Sequence, residues 1–228
     1  MLLQERYTLA LQSLNEMYPN ATTELENDSP FHLLVAVILS AQCTDKRVNM
    51  VTPALFKRYP EPKDMANSTA EEIFPYIQSI SYPNNKAKHL DNMAKRLVEV
   101  YDSKVPESVE ELQTLQGVGR KTANVIASVA FHQAKMPVDT HVHRVSARIG
   151  LTSKAKTVRQ TEEQLMQNIA KYSQEAEKDI ALLHHQLILL GRYTCKARKP
   201  LCENCKMTNS CKYYIAKQNK INKDHVSN

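Results

Sequence analysis

Two sets of residues in this chain have types and spacings that could carry chemistry. The first is a lysine and an aspartate. Lys121 follows the turn Leu115-Gln116-Gly117-Val118-Gly119-Arg120, and Asp139 stands eighteen residues later in Val138-Asp139-Thr140-His141. Gly117 and Gly119 permit positive φ and close approach of another backbone. A helix resuming after them presents unpaired N–H groups at its start. With the helix dipole, those groups make an anion site suited to one phosphate, and Arg120 adds charge there. An ammonium at Lys121 opposes the dipole at a cost of about 0.3–1 kcal/mol. The same field, together with partial burial, favours the neutral amine that nucleophilic catalysis requires. Lys121 therefore reads as a phosphate contact or a nucleophile, and Asp139 as a helix N-cap or a catalytic carboxylate. The glycine turn itself is an ordinary helical hairpin or a phosphate clamp.

The second set is Cys195-x6-Cys202-x2-Cys205-x5-Cys211, four of the five cysteines within 17 residues. Four soft ligands so spaced admit tetrahedral zinc or a cubane iron–sulfur cluster, and the spacing fits neither common ferredoxin pattern. From Arg192 to Lys223 there are nine basic residues against one acid, Glu203, a charge of +8 that leaves −2 on the rest of a chain of net charge +6, so the basic character belongs to this region. It is a solvated tail or a phosphate-contacting face that a metal would hold in fixed geometry. Cys43, outside the set, reads as a small packed residue.

The elements that must position these residues read as helices. Ser29-Pro30 caps an apolar helix over Phe31–Ala41, expected to be central and buried. Thr44 caps a second helix, with Val48, Val51, Leu55 and Phe56 at helical spacing. Ser108 and Glu111 form a capping-box pair for a short helix ending near Leu115. Lys121–Phe131 is a helix of small residues, and Asp139 or Thr140 caps another that stops at Gly150. Ile180–Leu190 is the last apolar helix, with Gly191 at its end. No stretch alternates long enough for a strand, so the fold class is all-α. With 42% hydrophobic and 24% charged residues, 4 Gly and 10 Pro, the composition is globular and excludes disordered and low-complexity classes. The longest apolar run, Leu33–Leu39, is far short of the roughly 20 residues a bilayer needs, and Glu5 and Arg6 stand where a signal peptide would be apolar. A cytoplasmic location follows, with reduced thiols. The segment Asn219–Asn228 is expected to be poorly ordered.

Three stretches, Leu33 to Asn49 (LLVAVILSAQCTDKRVN), Leu115 to Val125 and Val138 to Val145, resemble the endonuclease III family. That family lies within the helix-hairpin-helix, Gly-Pro-Asp superfamily of base-excision DNA glycosylases, and the likeness runs from about Thr22 to Cys211. It implies two helical domains with a DNA-binding cleft between them. One is a six-helix barrel over 22–134 carrying the helix-hairpin-helix at 115–123. The other is an iron–sulfur cluster domain made of 1–21 and 135–211, followed by a basic tail over 212–228. The resemblance gives Lys121 the role of Schiff-base nucleophile and Asp139 that of catalytic carboxylate facing it. Cys195, Cys202, Cys205 and Cys211 become ligands of a structural 4Fe-4S cluster, within Gly191-Arg192-Tyr193-Thr194-Cys195 and Ala197-Arg198-Lys199-Pro200. Gln42 fills the space left by a flipped nucleotide and Tyr82 wedges the opposite strand. Gly117, Gly119, Arg120, Arg144, Arg192, Arg198 and Lys199 contact DNA.

The implied activity is a bifunctional DNA glycosylase and abasic-site lyase. It removes oxidised pyrimidines and cleaves 3′ to abasic sites by β-elimination, acting as a monomer on double-stranded DNA with damaged bases or abasic sites, nucleoid-associated if bacterial. An adenine-mismatch DNA glycosylase is the nearest alternative; that branch lacks the lysine and carries a further C-terminal domain, so Lys121 and the end at Asn228 count against it. A non-enzymatic metal-loop DNA-binding protein is the other, opposed by Lys121 and Asp139 together. The chain departs from the family pattern at Ser81-Tyr82-Pro83, where Gly-Leu-Tyr is frequent. It also has Gln116 in place of a proline, and Gln186 where tryptophan occurs.

Overall fold

The computed structural model describes residues 1–173 and 179–226, the last four as helical backbone. All regular structure among the described residues is helical, which bears out the all-α reading. The chain divides into two compact units, Thr23–Gln133 and Met1–Thr22 with Ala134–Asn228.

The Thr23–Gln133 unit is built on α2 (Pro30–Ser40), whose start is set by Ser29 accepting from the His32 N–H. Every residue from Phe31 to Leu39 is buried, so this helix has no polar face and forms the centre of the unit. Around it run α3 (Asp45–Arg58), α4 (Pro62–Ala66), α5 (Ala70–Ile77), α6 (Pro83–Tyr101), α7 (Val109–Leu112) and α8 (Arg120–Val129). Thr44 caps α3 as expected, and Thr69 with Glu72 closes a capping box on α5. Ser108 accepts from the Glu111 N–H and donates its hydroxyl to the Glu110 carboxylate, and only the Ser108 half of the anticipated capping box forms on α7. The face of α6 that carries Leu90, Met93, Ala94 and Leu97 is buried, and α2 packs against α3, α6 and α8.

The other unit contains α1 (Leu3–Met17), α9 (Thr140–Ile149), α10 (Val158–Tyr172), α11 (Ile180–Leu189) and α12 (Lys212–Val226). Its core joins Tyr7, Ala10 and Leu14 of α1 to Val142, Val145 and Ile149 of α9 and Leu183 and Leu187 of α11. The Tyr7 hydroxyl donates to the Leu151 carbonyl at 3.0 Å, and Gln186, fully buried, donates to Asn15 and the Tyr18 carbonyl. The amide at Gln186 is thus a hydrogen-bonded tie to the end of α1.

Two expectations are corrected here. Gly191 does not end α11; the chain continues through a π-helical turn, Leu190–Thr194. The reason is packing: a Cβ at Gly191 would lie 2.8 Å from the His141 Cβ, so glycine serves close approach to α9. Likewise, the tail is helical through Val226 rather than poorly ordered from Asn219, while 227–228 lie outside the described residues. Its sequence has no Gly or Pro after Lys212, and Tyr213 docks under the Arg148 guanidinium at 5.0 Å.

Candidate functional site

The glycine hairpin is anchored by Leu115 and Val118, both buried, while Gln116, Gly117, Gly119 and Arg120 are exposed. Gly117 has φ +82°, and a Cβ there would come within 3.1 Å of His89, so both conformation and space call for glycine. Gly119 is different. Its φ of −87° suits any residue, and a Cβ would meet nothing within 4 Å. It is the N-cap of α8 and has no side chain to close that helix, leaving an open positive end. Lys121 lies in this first turn and is exposed. The partial burial anticipated for its amine is absent from this chain by itself.

A second assembly in the same unit joins the end of α2 to the start of α6. Gln42 and Tyr82 both have left-handed backbones, φ +54° and +56°, although neither is glycine, and both side chains are exposed, Tyr82 by 61%. The Ser81 hydroxyl donates to the Gln42 carbonyl at 2.7 Å. Lys86, only 5% exposed, donates from Nζ to the carbonyls of Leu39 at 2.8 Å and Ala41 at 2.6 Å. Burial lowers the Lys86 pKa from its ordinary value, and the nearby Cys43 opposes that shift. Sequence reasoning missed Lys86. The available signal was its register: it shares the helical face of Leu90, Met93 and Leu97, where a lysine without a partner would be costly.

Asp139 belongs to the other unit. It is half-buried and caps α9, its Oδ1 accepting from the Val142 N–H at 2.8 Å. One turn and two turns further along α9, two arginines reach the cysteine loop. Arg144 donates to the carbonyls of Gly191 at 2.9 Å and Cys195 at 3.3 Å. Arg148 donates to the carbonyls of Lys196 at 2.8 Å and Ala197 at 2.7 Å and reaches the Cys195 sulfur at 3.5 Å. Arg144, expected at DNA, is therefore engaged in holding the loop. Arg192 is half-buried, whereas Arg198 and Lys199 are exposed.

Cys195, Cys202, Cys205 and Cys211 line one small apolar cavity together with Ile149, Leu190 and Leu201. Burial pushes the Cys205 and Cys211 thiols up, and the neighbouring sulfurs of the set add to it. Among the described residues, no three His, Cys, Asp or Glu side chains converge as a single metal ion requires. No described helix is long and apolar enough to cross a membrane.

The hairpin, the capped aspartate and the cysteine loop can now be set beside known proteins. Residues 35–171 match the family model of the HhH-GPD superfamily of base excision DNA repair proteins. The chain belongs to this superfamily. Its HhH-GPD relatives include Endonuclease III of Bacillus subtilis, 42% identical over 93% of this chain and 94% of the relative. Endonuclease III of Synechocystis is 45% identical over 91% and 92%. A solved structure of a trapped Endonuclease III–DNA covalent intermediate superposes with a TM-score of 0.86 at 39% identity, covering 96% of this chain and all of that one. The HhH-GPD chain is thus an enzyme of base excision repair, a DNA glycosylase and abasic-site lyase, and DNA is its partner. The adenine-mismatch alternative is not favoured.

Proposed function

We propose that this enzyme excises oxidised pyrimidines from duplex DNA and cleaves 3′ to abasic sites, with Lys121 as nucleophile and Asp139 as catalytic carboxylate. It acts as a monomer in the cytoplasm, on the nucleoid in a bacterium. The observation that carries this reading is the exposed Lys121 amine in the first turn of α8, a helix whose start has no capping side chain. That opening can accept a phosphate on the N–H groups beside Gly119, which would bring the adjoining deoxyribose to the amine. The solved Endonuclease III relative was trapped covalently on DNA, and the same class of adduct is carried over to this chain.

Chemistry on a stacked base requires the nucleotide to leave the helix, at a cost of a few kcal/mol that damage reduces. Gln42 then occupies the gap and Tyr82 wedges the opposite strand; both are exposed and held by local contacts. The Lys121 amine attacks C1′, the bond from C1′ to the base breaks, and the base departs with the electron pair. The Asp139 carboxylate stabilises positive charge on the sugar and takes up the lysine proton. Its bond to the Val142 N–H fixes the carboxylate at the positive end of α9. The lysine nitrogen lone pair then breaks the C1′–O4′ bond, O4′ taking up a proton as the sugar ring opens, and the iminium so formed acidifies C2′; loss of a C2′ proton expels the 3′ phosphate oxygen and nicks the strand.

The donor set of Cys195, Cys202, Cys205 and Cys211 suits a 4Fe-4S cluster: these four soft sulfurs line one apolar cavity and would hold its iron as thiolates. When bound, such a cluster supplies a rigid anchor for the loop. Arg198 and Lys199 on that loop, with Arg192, would then meet phosphates.

The test is strand nicking on duplexes carrying an abasic site or an oxidised pyrimidine. Lys121→Ala should lose on the order of 10³-fold or more in lyase rate while still binding DNA. Undiminished nicking would remove Lys121 from the mechanism.

A further inference from the structure

Gln42 and Tyr82 pose a physical problem. A non-glycine residue in the left-handed region costs about 1 kcal/mol or more, and it persists only where the surroundings over-determine it. Two such residues stand within one hydrogen-bonded circuit of the Thr23–Gln133 unit. The Lys86 ammonium holds the carbonyls of Leu39 and Ala41, immediately before Gln42. The Gln42 carbonyl accepts from Ser81, the residue before Tyr82. The Tyr82 carbonyl accepts the Lys86 N–H at 3.1 Å, which returns the circuit to its start. One side chain therefore ties the last turn of α2 to the first turn of α6, and both strained residues lie between its two attachments.

Burying an ammonium is costly. Two carbonyls at the negative end of α2 offset the cost, and an apolar side chain there would leave both acceptors without this donor. The charge is therefore explained by what it holds. We propose that Lys86 is a positioning residue: by gripping the Leu39 and Ala41 carbonyls it sets the left-handed turn that presents Gln42, and through Ser81 the start of α6 that presents Tyr82. It rests on the reading of Gln42 and Tyr82 as residues that enter the duplex, and it adds a buried lysine that itself touches no DNA.

The experiment compares single-turnover nicking of an abasic site in duplex DNA with nicking of the same site in single-stranded DNA. The single strand has no gap to fill and no partner strand to wedge. Lys86→Met removes both hydrogen bonds to the Leu39 and Ala41 carbonyls and should lower the duplex rate at least about tenfold while leaving the single-strand rate within about twofold. Ser81→Ala, at a half-exposed position, should show the same selectivity at about threefold and supplies the answer if Lys86→Met does not fold. In a Gln42→Ala background, Lys86→Met should add clearly less than its effect in the wild type, because part of that effect runs through Gln42. Equal losses on both substrates, or full additivity with Gln42→Ala, would overturn the positioning role while leaving the lyase intact. A wild-type chain that nicks neither substrate would instead sink the lyase reading, and this proposal with it.

Discussion

The helices α8 and α9 have the same length, 10 residues, but begin in different ways. At α8 the N-cap is Gly119, which has no side chain, and the first turn carries Arg120 and Lys121, whose charges oppose the helix dipole. At α9 the N-cap is Asp139, whose carboxylate accepts a first-turn N–H and complements the dipole. The second beginning is what stability alone would select. The first gives up a cap and places cations unfavourably, a pattern that makes sense when an anion and an electrophile arrive from outside. At Asp139 one oxygen holds the helix, which leaves the other for the role proposed for this carboxylate.

The largest expected effect that sharpens this contrast is at Asp139. Asp139→Asn keeps the cap, so thermal unfolding should move by less than about 1 kcal/mol, whereas glycosylase turnover should fall about 10²–10⁴-fold. Asp139→Ala should lose about 1 kcal/mol more, seen by denaturant titration. Equal losses of stability and turnover in both variants would reduce Asp139 to a cap.

The glycines give the next contrast. Gly191→Ala forces a Cβ against His141 and should destabilise by about 1–3 kcal/mol in a urea melt. Gly119→Ala meets only open space, so its stability should change by no more than about 0.5 kcal/mol. Its methyl group would nevertheless stand where the phosphate approaches, and duplex affinity should drop about tenfold by fluorescence anisotropy. The smallest effect belongs to the exposed pair on the cysteine loop. Replacing Arg198 and Lys199 with alanine should lower the salt dependence of DNA binding by a slope of about 2, with little change in unfolding.

What was legible in the sequence was local. Ser29, Thr44 and Asp139 cap the helices that follow them, because capping depends on residues three apart. The glycine hairpin was legible for the same reason. The features missed depend on partners far along the chain. Gly191 reads as a helix end, yet its neighbour is His141 on another helix. Arg144 also engages the carbonyls of Gly191 and Cys195, 47 and 51 residues away, which its own neighbours in sequence do not announce. The partners of Lys86 are two carbonyls at the end of α2, 47 and 45 residues away. The tail reads as loose because its charges are obvious, whereas the contact of Tyr213 with Arg148 is not.

The chemistry proposed for this enzyme turns on one amine, which can be trapped on DNA. Borohydride reduction during turnover on an abasic duplex, followed by proteolysis and peptide mass spectrometry, locates the adduct. The modified peptide should carry the deoxyribose remnant on Lys121. A remnant on Lys86, Lys88 or the chain's N-terminus, or no covalent product from an enzyme that still nicks, would contradict it.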